Sequence, residues 1–209
     1  MNILVTAGPT CEDIDAVRYL TNRSSGRMGY TLAAAAVRRG HGVTLVTGPT
    51  ALERPEGCDV VAVRSAREMH GAVFDRFAAC DCVIMAAAVA DFRPEKRAEG
   101  KIKKGADRFA LQLVPNPDIL AELGKKKDGR ILVGFALESD EGRRRAEQKL
   151  HNKQLDFIVL NSADAFGNVP ADFGLYAKKS GWVAFHQISK DEIADIIIDE
   201  CEKLCTEPL

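Results

Sequence analysis

The chain reads as an α/β protein built on a largely parallel sheet with helices on both faces, as one domain over residues 1–209. Three observations predict this. Short apolar runs alternate with stretches of helical periodicity from the first residues to beyond residue 150. The runs are apolar at nearly every position rather than at alternate ones, as strands covered on both sides must be. Finally, 209 residues that are 46% hydrophobic suffice to bury a continuous core without metal or disulfide staples.

Asn2–Thr6 (NILVT) is the first predicted strand, Met28–Arg39 the first helix and Val43–Thr47 the second strand, with Gly40 and Gly42 marking the reversal between them. This βαβ order needs a crossover and therefore implies parallel neighbours. Asp59–Val63 is the third strand, and Ser65-x-x-Glu68 has capping-box spacing for a helix to Phe77. Asp81–Ala87 is the fourth strand. Asn116-Pro117 opens a helix to about Gly124, Ile131–Ala136 is a strand, Glu141–Lys153 a helix and Phe157–Leu160 another strand. Gly174–Ala177 and Trp182–His186 flank the turn-like Lys178-Lys179-Ser180-Gly181 and form a β-hairpin elaboration near the C-terminal end. Ser189-x-x-Glu192 then caps a last helix to about Cys205, in which Ile193, Ile196, Ile197, Cys201 and Leu204 recur at helical spacing. Phe92–Arg108 is polar and has no hydrophobic face, which predicts a mobile surface flap, and Phe109–Val114 reads as a strand after it.

Charge and composition narrow the function. With 29 basic and 30 acidic residues the formal net charge is −1, without the basic excess of a nucleic-acid binder. No apolar run reaches the roughly 18–20 residues of a membrane span. Met1 leads straight into a strand-like run rather than a signal sequence, so a cytoplasmic location is expected, with no membrane partner. Six cysteines at 11, 58, 80, 82, 201 and 205 form no CxxC pair, which predicts reduced, mostly buried thiols and no zinc site. Cys80 and Cys82 are expected to share one face of a strand, and Cys11 to lie in a loop with no histidine near it in sequence. The histidines at 41, 70, 151 and 186 have no ligand-like spacing and receive no catalytic role.

In a parallel sheet, ligands collect at the carboxyl ends of the strands. Thr6-Ala7-Gly8-Pro9-Thr10 follows the first strand, yet the first helix begins only after Ser24-Ser25-Gly26-Arg27-Met28-Gly29. That insertion is longer than a simple dinucleotide loop. Two hydroxyls and two glycines before a helix start can present backbone N–H groups and about half a positive charge to a phosphate; close helix-to-strand packing is the alternative role for the glycines. A nicotinamide oxidoreductase fits the fold class less well. The second strand ends Val46-Thr47-Gly48-Pro49 without an acidic residue for an adenosine ribose, and no tyrosine has a lysine four residues later.

The run Thr6–Thr10, then Asp15-Ala16-Val17-Arg18-Tyr19-Leu20-Thr21-Asn22-Arg23-Ser24-Ser25-Gly26-Arg27-Met28-Gly29, resembles the signature of the phosphopantothenate–cysteine ligase family, the second domain of the bacterial bifunctional coenzyme A biosynthesis protein. Ala86-Ala87-Ala88-Val89-Ala90-Asp91-Phe92, Lys101-Ile102-Lys103-Lys104, Pro115-Asn116-Pro117-Asp118-Ile119-Leu120 and Val133-Gly134-Phe135-Ala136-Leu137-Glu138 follow in family order. Cys11 stands where the family often has Arg and Ala16 where it often has Pro, and no part of these 209 residues resembles the flavin-dependent decarboxylase domain usually fused in front, so no decarboxylase activity is expected of them.

The resemblance implies a Rossmann-like fold and a reaction in two halves. CTP, or ATP in its place, activates the carboxylate of 4'-phosphopantothenate as an acyl-nucleotide; the amine of L-cysteine then displaces the nucleotide. No side-chain nucleophile is needed, in keeping with the lack of a Ser-His-Asp or Cys-His grouping. Carried over residue by residue, Asn22 and Arg18 act on the acyl intermediate, and Lys101 sits on the flap over the triphosphate, with Lys103 and Lys104 extending the cationic group. Ser24, Ser25, Gly26 and Gly29 bind phosphate. Asp91 lies near the sugar and a Mg2+ ion, Ala87 and Phe135 present backbone groups to the base, and Asn116 either contacts nucleotide or caps a helix. The resemblance also implies a homodimer completing its sites across the subunit boundary, with the hairpin and Phe109–Val114 as contributors. A nucleotide-binding module without turnover is the remaining alternative.

Overall fold

The computed structural model describes residues 1–105, 108–137, 142–161 and 169–206. In chain order the elements are β1 (Asn2–Ala7), β2 (Cys11–Asp13), β3 (Tyr19–Thr21), α1 (Arg27–Arg38), β4 (Gly42–Thr47), β5 (Asp59–Ala62), α2 (Ala66–Phe77), β6 (Cys82–Met85), β7 (Phe92–Pro94), β8 (Leu113–Pro115), α3 (Ile119–Lys125), β9 (Ile131–Leu137), α4 (Gly142–Asn152), β10 (Phe157–Asn161), β11 (Ala171–Ala177), β12 (Gly181–Ile188) and α5 (Lys190–Thr206). Eight strands form one sheet in the order β12-β11-β10-β9-β6-β1-β4-β5. The pairings from β5 across to β10 are parallel, and β11 and β12 add an antiparallel extension on the β10 edge.

The chain steps outward from β1 through β4 to β5, then returns to the other side of β1 with β6. The connections on the two sides of the β1–β6 boundary lead away from each other, which opens a crevice at the carboxyl ends of those strands. Period-two alternation splits the core in two. Ile3 and Val5 join Leu32, Ala33, Ile193 and Ile197 under α1 and α5, while Leu4 joins Val73, Leu123 and Leu150 under α2, α3 and α4. Burying each such large side chain is worth about 1.5–3 kcal/mol. The alanine-rich face of α1 lets α5 pack beside it.

The helix starts follow the hydroxyl signals. Ser65 Oγ accepts from Glu68 N at 3.2 Å, although the Glu68 carboxylate takes Arg64 N rather than Ser65 N. At α5 the box closes both ways, with Ser189 Oγ accepting from Glu192 N and the Glu192 carboxylate accepting from Ser189 N.

Several expectations require correction. The insertion after β1 is a small antiparallel hairpin, β2–β3, so Cys11 lies on a strand and is buried rather than in a loop. The segment from Phe92 begins as β7, paired with β8, and the strand expected over Phe109–Val114 shortens to Leu113–Pro115. Three-residue ribbons joined over some twenty positions leave no local periodicity to read. The strand expected over Asp81–Ala87 spans only Cys82–Met85, so Asp91 sits in the loop beyond it and not at its end. Cys80 precedes that strand, and it and Cys82 enter opposite halves of the core. The helix expected from Asn116-Pro117 begins at Ile119, because Asp118 is its cap and accepts from Ala121 N at 3.0 Å. All six cysteines are free thiols, with Cys205 exposed. Glu138 and Glu141 lie outside the described residues.

Candidate active site

Three backbone segments meet at the carboxyl ends of β1, β6 and β9. The first, Asn22–Gly26, enters α1. Gly26 adopts φ of 79° there, and a β-carbon on it would come within 2.7 Å of Thr50 Cγ2, so glycine is required at this turn. No side chain caps α1, although Ser25 Oγ accepts from Arg27 N at 3.4 Å and Ser24 Oγ from Gly26 N at 3.3 Å. The helix thus directs its positive end toward the crevice.

The second segment, Ala86–Asp91, is held by buried hydroxyls of the β1 strand and the loop after it. Thr6 Oγ1 accepts from Ala87 N at 3.1 Å and Thr10 Oγ1 from Ala90 N at 3.0 Å, and both threonines are fully buried. Asn22 Nδ2 closes the arrangement by donating to the carbonyls of Ala88 and Val89 at 3.0 and 3.2 Å. Both amide protons of Asn22 are therefore engaged, and its oxygen is the atom left to accept. The third segment is the end of β9, where Lys149 Nζ donates to the Phe135 carbonyl at 2.7 Å.

Together these segments line a cavity of about 650 Å³, within the range of small-molecule sites. Asn22, Ser24, Ser25, Gly26, Ala87, Asp91 and Phe135 are among its lining residues, as the sequence reading expects of a shared site. Arg27, Asn161 and Lys190 join them unforeseen. Lys190, at the start of α5, is only 8% exposed. Burial first, and then the positive charge of Arg27, push its pKa below the usual lysine value. Two cations thus converge where α1 begins. Asn161 Oδ1 is buried with no hydrogen-bond partner among the described residues. Asp91 is the one carboxylate lining this cavity among them.

A second cavity of about 380 Å³ adjoins the first, sharing Ala87, Val89, Asp91 and Phe135 with it. Asn116 lines this one, donating to the Ala90 carbonyl at 2.9 Å and accepting from Arg93 at 3.2 Å, so it braces the loop rather than capping α3. Lys149 and Lys153 line it too, from α4 and just beyond its end; Lys153 pairs with Asp118 at 2.8 Å. The i, i+4 spacing of Lys149 and Lys153 in the sequence would have revealed a cationic face had the helix been oriented.

Four expected site residues lie elsewhere. Gly29 is inside α1, where a β-carbon would approach Ala7 Cβ to 2.5 Å; it serves close helix-to-strand packing, the alternative weighed for the glycines, and does not line the cavity. Ala87 and Phe135 do line the cavity; Ala87 N donates to Thr6 Oγ1, and the Phe135 carbonyl accepts from Lys149 and keeps a second lone pair. Lys101 and Lys104 are exposed and line neither cavity. Arg18 lines neither cavity: its guanidinium pairs with Asp15 and donates to the Ile102 carbonyl at 3.0 Å. His41, His70 and His186 each pair with a carboxylate distant from the cavity. No helix among the described residues is long and apolar enough to cross a membrane.

Comparison with known proteins identifies relatives of the chain. A protein from an unknown prokaryotic organism named cysteine/cysteine sulfinic acid decarboxylase is 46% identical over 203 residues, covering 94% of this chain and 56% of its own length. The coenzyme A biosynthesis bifunctional protein CoaBC of Bacillus subtilis is 47% identical over 174 residues, covering 83% of this chain and 42% of its own. The chain thus spans about half the length of the curated relatives it matches. The crystal structure of the C-terminal domain of a coenzyme A biosynthesis bifunctional protein CoaBC superposes with a TM-score of 0.86 at 38% identity, covering 98% of this chain and 95% of that one. The family described as DNA/pantothenate metabolism flavoprotein C-terminal domain matches residues 1–204, and the chain belongs to it.

Proposed function

We propose that this domain is a phosphopantothenate–cysteine ligase acting in coenzyme A biosynthesis in the cytoplasm. It joins 4'-phosphopantothenate and L-cysteine through an acyl-cytidylate, with release of pyrophosphate and then CMP. The observation that carries the reading is the convergence of Asn22–Met28 and Ala86–Asp91, the two segments bearing the family's signature residues, on one cavity at the switch point of the sheet. Family membership and the matching CoaBC C-terminal domain support it.

The chemistry follows from the lining. A carboxylate is a poor acyl donor because oxide is a poor leaving group, whereas a nucleoside monophosphate leaves readily. Attack of the substrate carboxylate on the α-phosphorus of CTP forms the acyl–phosphate bond and expels pyrophosphate. The cysteine amine then attacks the acyl carbon, loses a proton and expels CMP. Both steps concentrate negative charge, so cations and fixed N–H donors supply most of the assistance. Arg27, Lys190 and the uncapped start of α1 meet one anionic group in the main cavity, beside Ser24 and Ser25; Lys149 and Lys153 meet nucleotide in the adjoining one. With both protons of Asn22 held by carbonyls, its oxygen accepts from the attacking amine and orients it. Lys101 closes over the triphosphate from the flap, excluding water from the activated acid.

Among the described residues no cluster of three carboxylate, histidine or cysteine groups forms a metal cage. A lone Asp91 fits Mg2+ carried in on the triphosphate, which needs one or two protein carboxylates. When bound, the ion neutralises phosphate charge; Asp91 is the group that would hold it.

The test supplies protein with CTP, Mg2+, 4'-phosphopantothenate and L-cysteine and measures pyrophosphate and product mass. Pyrophosphate should appear without cysteine at stoichiometric level and turn over only when cysteine is added. Absence of the joined thiol product under all conditions overturns the reading, and nucleotide binding without product leaves a binding module. A parallel series with ATP decides nucleotide preference, and sedimentation of the same samples tests the homodimer.

A further inference from the structure

One buried carboxylate stands apart from both cavities and grips the segment that carries Lys101. Asp15, in the turn between β2 and β3, is 2% exposed. Five N–H groups converge on it. Oδ1 accepts from Val17 N at 2.8 Å and Arg18 N at 2.9 Å, and Oδ2 from Arg18 Nε at 3.0 Å, from Arg18 Nη2 and from Ile102 N at 3.0 Å. Arg18 Nη2 also donates to the Ile102 carbonyl at 3.0 Å. One ion pair therefore holds both polar groups of residue 102, the carboxylate taking its N–H and the guanidinium its C=O.

The same edge is stitched further along. Ala98 N donates to the Ile14 carbonyl at 3.0 Å, and Arg97 lies 3.5 Å from Asp13. The hairpin on the other side is itself anchored: Cys11 N donates to the Arg64 carbonyl at 2.8 Å, Arg64 pairs with Asp13 at 2.7 Å, and buried Glu12 accepts from Ala66 N at 2.8 Å. A fixed post thus runs from the core to the flap.

We propose that Asp15 and Arg18 form a latch that fixes the backbone at Ile102 and so positions Lys101 for the nucleotide. Through the Ile102 backbone, Arg18 thus acts as a positioning residue for the flap. Lys101 is one peptide, about 3.8 Å between α-carbons, from the fixed point. Its side chain samples a short arc rather than the volume open to a free loop, so less freedom is lost when nucleotide binds. Arg18 foremost, opposed by burial and helped by the backbone N–H groups of Val17, Ile102 and Arg18, holds the Asp15 carboxyl well below the usual range, so the latch stays charged through neutral pH. The assignment of Lys101 to nucleotide rests on the ligase reading; the latch geometry does not.

The experiment uses the full chain with Asp15→Asn, Arg18→Gln and Arg18→Lys. Tryptic cleavage after Lys101, Lys103 and Lys104 is followed by mass spectrometry with and without CTP and Mg2+. Loss of charge-assisted hydrogen bonds should raise cleavage there about tenfold without nucleotide, with other sites unchanged. In all three variants KM for CTP should rise, and in Asp15→Asn amide formation from preformed acyl-cytidylate should stay at the wild-type rate. Arg18→Lys leaves the backbone bonds to Asp15 in place, and carries the test should Asp15→Asn not fold. Unchanged cleavage at the three lysines, or an amide step that in Asp15→Asn falls as far as activation, overturns the latch. A wild type without pyrophosphate release would sink the ligase reading instead, leaving the proteolysis result to judge the latch.

Discussion

Gly29→Ala separates two roles for one glycine. The substitution keeps the backbone N–H, so a phosphate gripped by that N–H would not notice it. The structure gives the added carbon a different fate: 2.5 Å from Ala7 Cβ and 2.8 Å from the Thr6 carbonyl oxygen. Carbon atoms rest at about 3.5–4.0 Å, so α1 must withdraw from β1 by about 1 Å. Overpacking of this kind costs about 1–3 kcal/mol, and the better helix propensity of alanine returns about 1 kcal/mol. The net, about 1 kcal/mol, lowers Tm by about 2–4 °C in a domain of this size. Activity should fall much further. The start of α1 carries Ser24, Ser25 and Arg27 into the cavity, and a misplacement of about 1 Å can cost about a hundredfold in rate. Thermal melts paired with pyrophosphate release at saturating CTP give both numbers. Wild-type values in both would refute the packing argument. The same wild-type values would return Gly29 to phosphate binding through its N–H.

Other substitutions address the chemistry directly. Asn22→Asp removes both donors to Ala88 and Val89 and sets a negative oxygen against those carbonyls. It should still accumulate acyl-cytidylate but form little amide, and amide formation at the normal rate would remove Asn22 from the second half-reaction. Lys101→Gln should slow pyrophosphate release and leave conversion of preformed acyl-cytidylate intact; a normal first half-reaction contradicts the flap assignment. Asp15→Asn should lower Tm at pH 7. Because Arg18 holds the folded-state carboxyl below its ordinary value of 3.8, the wild-type advantage is complete above that pH and declines as the pH falls toward the folded value. Melts across the acid range check this, and an advantage that grows on acidification would contradict the sign.

The six parallel strands and the flanking helices were legible because each announces itself locally, through a continuous apolar run or a helical stripe such as Ile193, Ile197 and Cys201. The ribbons β2–β3 and β7–β8 were not. Each strand in them has three residues, and what stabilises it is a partner elsewhere in the chain. Lys190 shows the same limit at the site. In sequence it is a polar residue at a helix start, next to a capping serine, with every mark of a solvated position. It reaches the cavity because α5 lies beside α1, a consequence of packing alone.

Motif residues and supporting residues therefore differ in kind. Ser24–Gly26 and Ala86–Asp91 are visible because their composition shapes the backbone wherever it occurs, but composition does not say what holds that backbone still. Thr6, Thr10 and Asp15 do so here, each by turning a buried oxygen toward N–H groups of a segment far away in the chain. A buried acceptor that loses its donor costs about 1–3 kcal/mol, so these three bonds are strongly enforced in the folded state. Two of them, from Thr6 and Thr10, hold the loop that lines both cavities. Thr6→Val, equal in shape but without the acceptor, strands the Ala87 N–H and frees the loop beneath both cavities. It should weaken CTP binding although residue 6 itself touches no ligand. Titration calorimetry of the folded variant checks this, and an unchanged affinity would mean that the loop's other bonds, including those of Asn22, Thr10 and Asn116, hold it without Thr6.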